Sequence, residues 1–204
     1  MTATGVVVLA TRSEGKLREL RPLFAGAGLA VHDLREAGVT VSPDEEAIEV
    51  FDTFEANALA KARYFQALTG RPTVADDSGL EVEVLQWAPG VRSKRWSGRR
   101  DLEGQALDDA NNAKLLAAVQ GMTEPRARYV CVAAFCDGTR EVVVRGETMG
   151  IIVSDARGGE GFGYDPYFLS AELGATFGES SREAKERVSH RGRAFRALLE
   201  RLSD

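Results

Sequence analysis

Long apolar runs are missing from this 204-residue chain: residues 6–10 (VVVLA) and 130–135 (VCVAAF) fall far short of the roughly 18–20 that cross a bilayer. No membrane-spanning segment is expected. Residues 1–5 (MTATG) carry neither a basic stretch nor an A-x-A cleavage pattern, so the sequence reads as cytoplasmic, without a secretory signal. Cysteine is scarce: Cys131 and Cys136 are the only two, and on a strand they would face opposite sides, which suggests neither zinc nor a local disulfide. With His32 and His190 the only histidines, clustered-histidine metal sites are excluded. Any catalytic metal must then rest on carboxylate oxygen, which favours Mg²⁺ or Mn²⁺. Positive charge is also in deficit, 26 Lys+Arg against 31 Asp+Glu for a net −5, which argues against a duplex-binding protein. The 44% hydrophobic content is ample: a chain of this length buries roughly 70% of its unfolded surface and needs no disulfide or structural metal.

What is present is an alternation of strand and helix signals. Residues 6–10 form a β-branched run typical of a strand buried on both faces, followed by Thr11 and Ser13, which suit a helix cap. Leu17, Leu20 and Phe24 continue at helical spacing, with Pro22 expected to kink or shorten that helix. Residues 53–69 make the strongest helix: Phe54, Ala58, Ala62, Phe65 and Leu68 form one stripe, Asn57, Lys61 and Tyr64 lie on a neighbouring face, and Gly70 ends it. Residues 73–75 and 80–85 read as two strands, the second with Leu80, Val82 and Val84 on one side, which places Asp76-Asp77-Ser78-Gly79 in a turn between them. A loop over 86–100, a helix over 101–119 and hairpin strands over 128–136 and 141–145 follow, with 148–153 extended. The last helix carries the stripe Phe195, Leu198, Leu199 and Leu202. Consecutive strand runs among the alternating elements imply an α/β class with a mixed sheet.

Four segments carry candidate chemistry. Thr11-Arg12-Ser13-Glu14-Gly15-Lys16 opens a helix, where backbone N–H groups and the positive dipole end suit a phosphate; it has neither Walker nor G-x-G-x-x-G spacing, and an ordinary capped helix fits as well. Asp76 and Asp77 could bind a divalent cation and orient or deprotonate a water, or simply form an Asx turn closed by Gly79. Upstream, Glu45, Glu46 and Glu49 offer a further ligand. Residues 159–166 (GEGFGYDP) combine permissive backbone, a flat aromatic and a carboxylate, the means by which a base is stacked and read on an edge. Ser189-His190-Arg191, with Lys185 upstream, puts a cationic cluster at a helix start that normally prefers acids, which hints at an acceptor-rich partner.

In their order and spacing these segments resemble the inosine/xanthosine triphosphate pyrophosphatase family, over nearly the whole chain. The matching pieces are residues 10–16, Thr53-Phe54 with Asn57-Ala58 and Lys61-Ala62, residues 75–80, Pro89-Gly90-Val91 with Ser93, residues 161–166, and Ser189-His190-Arg191-Gly192. The resemblance implies one nucleoside triphosphate pyrophosphatase domain over residues 1–204, an elongated fold of two lobes around a central mixed sheet with flanking helices, and an active-site cleft between the lobes. It implies cleavage of non-standard purine triphosphates (ITP, dITP, XTP) to the monophosphate and pyrophosphate, with Mg²⁺ or Mn²⁺ and usually as a homodimer. Thr11, Arg12, Ser13, Glu14, Gly15 and Lys16 would hold the triphosphate, with Lys16 and Lys61 neutralising it. Glu49 and Asp77 match the metal-binding acids, Asp77 also the general base, and Ser78 a substrate contact. Phe162, in the segment with Gly163 and Tyr164, matches the residue that stacks on the base; Asp165, Lys185, His190 and Arg191 match the groups around its edge. A pyrophosphatase of similar fold for other modified triphosphates, and a purine-nucleotide-binding protein without turnover, are the competing readings.

The chain departs from the family pattern twice. Ser13 stands where Asn is usual, exchanging an amide for one hydroxyl. In the family's Thr-Phe-x-Glu-Asn-Ala the acid precedes the asparagine; here Glu55-Ala56-Asn57 moves it about 100° around the helix, so Glu55 either substitutes from a new angle or that carboxylate is dispensable.

Overall fold

The structure, a computed structural model, describes residues 6–203; the leader reading at residues 1–5 and the terminal Asp204 lie outside the described residues. In chain order the strands are β1 (Val7–Leu9), β2 (Val31–Asp33), β3 (Thr73–Val82), β4 (Arg126–Cys136), β5 (Glu141–Ile152) and β6 (Phe168–Ser170). The helices are α1 (Glu14–Gly26), α2 (Phe54–Thr69), α3 (Gly104–Ala118), α4 (Arg182–Val188) and α5 (His190–Ser203). One six-stranded sheet runs β2-β1-β3-β4-β5-β6. β1 pairs parallel to β2 and β3, whereas β5 and β6 are antiparallel, so the sheet is mixed, as expected. The described residues divide into two compact units: one built from residues up to Asp77 with Cys131–Gly146 and Arg191 onward, the other from Ser78–Val130 and Glu147–His190. No described helix is long and apolar enough to cross a membrane.

In the first unit, Val7, Leu9, Val74, Cys131, Ala133 and Phe135 from the strands meet Leu17, Leu20 and Phe24 of α1 and Phe195, Leu198 and Leu202 of α5 in one apolar cluster. Both cysteines are buried and free. α1 continues through Pro22 to Gly26 instead of stopping. Pro22 and Arg18, whose carbonyl loses its partner, both lie on the exposed side, where water can replace the missing bond. α2 forms as expected: the Thr53 hydroxyl accepts from the Ala56 N–H at 3.2 Å, and Gly70 adopts φ +65 at the C-cap, a left-handed conformation suited to glycine. Its stripe is buried from Phe54 to Phe65, but Leu68, in the last turn, is exposed.

The largest correction concerns Asp76 and Asp77. Residues 73–82 are one continuous strand, so the acids stand in β3 and not in a turn, and the Asx-turn alternative falls with it. The D-D-S-G composition mimics a turn, but burial on both faces overrides local preference. The second strand is correspondingly shorter: Leu80 and Val82 are buried, while Val84 lies in a 3₁₀ turn and is exposed.

The second unit has its own core, formed by Leu80, Val82, Leu115, Tyr129, Ile152, Tyr164, Phe168 and Phe177 among others. At the sheet edge Gly150 is paired with Ser170. A Cβ there would stand 2.4 Å from the Leu169 carbonyl oxygen and 2.7 Å from Phe168 Cζ. Gly150→Ala is therefore expected to destabilise the protein by about 1–3 kcal/mol, read as a lowered urea midpoint with unchanged slope; an unchanged midpoint would contradict the packing of β5 on β6.

Candidate active site

Strand geometry assigns Asp76 and Asp77 to different neighbours. Successive side chains leave a strand on opposite faces. Asp76 Oδ2 meets Lys16 Nζ of α1 at 2.9 Å and lies 3.6 Å from Arg191 Nε of α5. Asp77 Oδ2 accepts from the Asn57 side-chain amide of α2 at 2.9 Å. That amide also donates to the Phe51 carbonyl at 3.1 Å, and Asn57 Oδ1 accepts from the Phe51 N–H at 2.9 Å. Asn57 thus ties the segment after Glu49 to β3. Glu49 forms an ion pair with Lys61, one turn along α2 from Asn57.

The electrostatics follow from this arrangement. Burial opposes ionisation of Asp76, but Lys16, Arg191 and Lys61 outweigh it and hold the carboxyl far below its ordinary range. Burial likewise disfavours charge on Glu49, yet Lys61 and Lys16 bring it below the usual value. Lys61 is desolvated but kept protonated by Glu49, Asp76 and Asp77, which raise its affinity for the proton. Asp77 goes the other way: burial and the neighbouring Glu49 charge push it up to about 6, against the opposing pull of Lys16, Lys61 and the Asn57 amide. A buried carboxylate raised by a second carboxylate marks a place for added positive charge. The donors are hard oxygens, which suits Mg²⁺ or Mn²⁺. No cluster of three His, Cys, Asp or Glu side chains suited to a metal occurs among the described residues, and Glu49 and Asp77 are two carboxylates that feel each other's charge. Mg²⁺ is commonly held in this way, by one or two carboxylates with substrate phosphates and water completing the shell.

The candidate phosphate loop is built around Ser13, the N-cap of α1, whose hydroxyl accepts from the Lys16 N–H at 3.4 Å. Thr11 is buried, its hydroxyl accepting from the Ser13 N–H at 3.1 Å. Glu14 and Gly15 occupy the first turn, with Glu14 exposed. Arg12 is turned to residues 39–45: its guanidinium holds Glu45 through two bonds, at 2.7 and 3.2 Å, and reaches the carbonyls of Val39 and Thr40. This takes Glu45 out of the set of metal-ligand candidates. Glu55 pairs with Arg145 at 2.9 Å, so the shifted acid serves a partly exposed ion pair.

The remaining expected residues, Arg191 apart, belong to the second unit. Ser78 is half-buried on β3. Phe162 is 36% exposed, with Lys185 Nζ 5.3 Å from its ring centroid. Asp165 Oδ2 accepts from the Phe162 N–H at 2.8 Å and from Lys185 Nζ at 2.7 Å, so Asp165 braces both. The Tyr164 hydroxyl donates to the Ser93 carbonyl at 2.7 Å. His190 is buried and stacked on Tyr129, ring centroids 4.6 Å apart. Arg191, next in the chain, is 3% exposed and engaged with Glu19 and Asp76 in the first unit. Glu19 escaped the sequence reading altogether; its position on α1 next to Leu20 was the only available signal.

The raised Asp77 carboxyl has a consequence for stability. A folded-state pKa above the unfolded value favours folding below about pH 4 and loses that advantage as pH rises through about 6. In metal-free protein Asp77→Asn should therefore be more stable than the parent by about 1–3 kcal/mol at pH 8, with the difference vanishing near pH 4. Chemical denaturation across that pH range in chelator checks it; a variant less stable at pH 8 would contradict the assignment.

Known proteins are similar to this chain over nearly its whole length. Residues 7–201 match the model of the Ham1 family. The dITP/XTP pyrophosphatase of Frankia alni is 47% identical over 94% of both chains. Among solved structures, a HAM1 protein from Coxiella burnetii superposes with a TM-score of 0.83 at 31% identity, covering 98% of this chain and 99% of its own. A nucleoside-triphosphatase / dITP/XTP pyrophosphatase from Mycobacterium abscessus gives 0.72 at 39% identity, with 97% and 99% covered. The family resemblance stated from sequence is thereby established, and the chain belongs to the Ham1 family.

Proposed function

We infer that this protein hydrolyses non-standard purine nucleoside triphosphates, ITP, dITP and XTP, between the α and β phosphorus atoms to give the monophosphate and pyrophosphate. The observation that carries the reading is the partly buried group in which the charges of Glu49, Asp77, Lys16 and Lys61 act on one another. The names of the relatives supply the substrate class. The homodimer implied by the resemblance is part of the proposal.

In-line attack on a triphosphate accumulates negative charge on non-bridging oxygens, so fixed cations stabilise the transition state more than the ground state. Lys16 and Lys61 supply such charges from desolvated positions, and the N-terminus of α1, capped by Ser13, adds backbone N–H groups. Glu49 and Asp77 would hold Mg²⁺, or Mn²⁺ in its place, and the ion would neutralise phosphate oxygens when bound. Asp77, a carboxylate ionised near neutrality, is the group proposed to accept the proton of an attacking water. Asp76, kept ionised and paired, holds Lys16 in place.

In the second unit Phe162 would stack on the base, and Lys185 and His190 would present donors to its edge. Arg191, which the resemblance also puts at the base edge, belongs to the first unit and is engaged there with Glu19 and Asp76. Hypoxanthine and xanthine carry a carbonyl at C6 where adenine carries an amine, so donors there pair with the first and oppose the second. Sites that read a polar atom this way discriminate by roughly 10⁴-fold or more. Exclusion of guanine, which shares the carbonyl, calls for crowding near C2.

Pyrophosphate release from ITP, dITP, XTP, GTP, ATP and UTP with Mg²⁺ tests the reading. The expected result is rapid turnover of the first three alone, abolished by chelator and lowered roughly 10²–10⁴-fold by Asp77→Asn. Equal rates on ITP and GTP would contradict the specificity, preference for UTP would favour a pyrimidine enzyme, and nucleotide binding without product would favour a sensor.

A further inference from the structure

The glycine-rich segment that carries Phe162 has almost no regular structure, yet it is held both by a hydrogen bond within itself and by bonds to other parts of the second unit. Asp165 receives the Phe162 N–H, and the Tyr164 hydroxyl reaches the Ser93 carbonyl. Between them the Gly163 peptide is gripped from both sides. Its N–H donates to Asp108 Oδ2 at 2.9 Å, and its carbonyl accepts from Asn112 Nδ2 at 3.1 Å. Asp108 and Asn112 are four residues apart on α3 and so share one helix face.

Two further features point to this grip as something more than packing. Gly163 has φ +64 with open space where a Cβ would stand, so it has no packing of its own and the two hydrogen bonds supply the restraint. Asn112 is buried with no hydrogen-bond partner for its Oδ1 among the described residues, a cost that an apolar residue of similar size would avoid. Its Nδ2, by contrast, is engaged, donating to the Gly163 carbonyl.

We propose that Asp108 and Asn112 are positioning residues for base recognition: by clamping the Gly163 peptide they hold the preceding Phe162 ring ready to stack. This rests on the stacking role of Phe162 set out above. A glycine loop left free would have to be ordered by each incoming nucleotide, and that lost conformational freedom weakens binding without touching the reaction at the phosphates. The effect belongs in KM.

The test is steady-state pyrophosphate release from ITP, together with inhibition by inorganic tripolyphosphate, which has no base. Asp108→Ala is expected to raise KM for ITP roughly tenfold, about the ordering cost of one residue, with kcat within twofold and tripolyphosphate inhibition unchanged. Asp108→Asn keeps an acceptor for the Gly163 N–H and should restore KM to near the parent value. Asn112→Asp, which removes the donor in a side chain of the same shape, should raise KM as Asp108→Ala does and serves if the alanine variant fails to fold. The proposal is overturned if KM stays unchanged in the two disrupting variants, if kcat falls with it, or if tripolyphosphate binding weakens in parallel. Phe162→Ala separates the two levels: a raised KM there with none in the clamp variants removes the clamp alone, whereas an unchanged KM removes the stacking reading beneath it.

Discussion

Burying charge is what the first unit must solve, and its solution shapes the site. Asp76, Asp77, Lys16, Lys61 and Arg191 are withdrawn from water to a large degree, with Glu49 partly so, and isolated ions in such a place would be prohibitive. Partnering is therefore strict. Lys16 and Arg191 serve Asp76, Glu19 takes the other side of Arg191, and Lys61 serves Glu49. Asp77 receives an amide from Asn57 and stands beside the Glu49 charge, so its proton affinity rises while that of Asp76 falls. Adjacent carboxylates driven apart in this way divide their work: one is a fixed structural ion, the other is suited to accept a proton or a metal. The alternation of β3 is the cause, since it aims the two acids at different helices.

The second unit handles a different problem with different means. Its candidate base site lies on a segment whose glycines favour mobility, and order comes from side-chain hydrogen bonds: Asp165 to the Phe162 N–H within the segment, Tyr164 out to Ser93, and Asp108 and Asn112 in to Gly163. Lys185 lies near both Phe162 and Phe177 and is neutralised by Asp165. Precise orientation is thus distributed over α3, α4 and the loop itself.

Where local chemistry decides the outcome, the sequence is readable. The periodic stripe of α2 with Thr53 and Gly70 at its ends, the β-branched β1, and the closing stripe of α5 all stand as expected. Where tertiary burial decides, it is not. Asp76-Asp77-Ser78-Gly79 has the composition of a turn and is a strand, because helices and strands cover it on both sides. Pro22 signals a helix break but falls on the solvent side, where the lost bond matters little. The pairing of Arg191 with Glu19 spans 172 positions and leaves no local trace, so its burial could not be anticipated from the donors clustered around Ser189. Arg12 likewise reads as a phosphate ligand in its motif, but its guanidinium is spent on Glu45 and two carbonyls.

The proton affinity of Asp77 is the quantity on which the account turns. Carboxyl ¹³C NMR of the protein labelled at aspartate, with Asp77→Asn used for assignment, reads it directly. In chelator the Asp77 resonance is expected to titrate near pH 6, and millimolar Mg²⁺ should move that midpoint down by a unit or more. A midpoint near the ordinary 3.8 that ignores Mg²⁺ would contradict both the electrostatic reading and the metal site built on it.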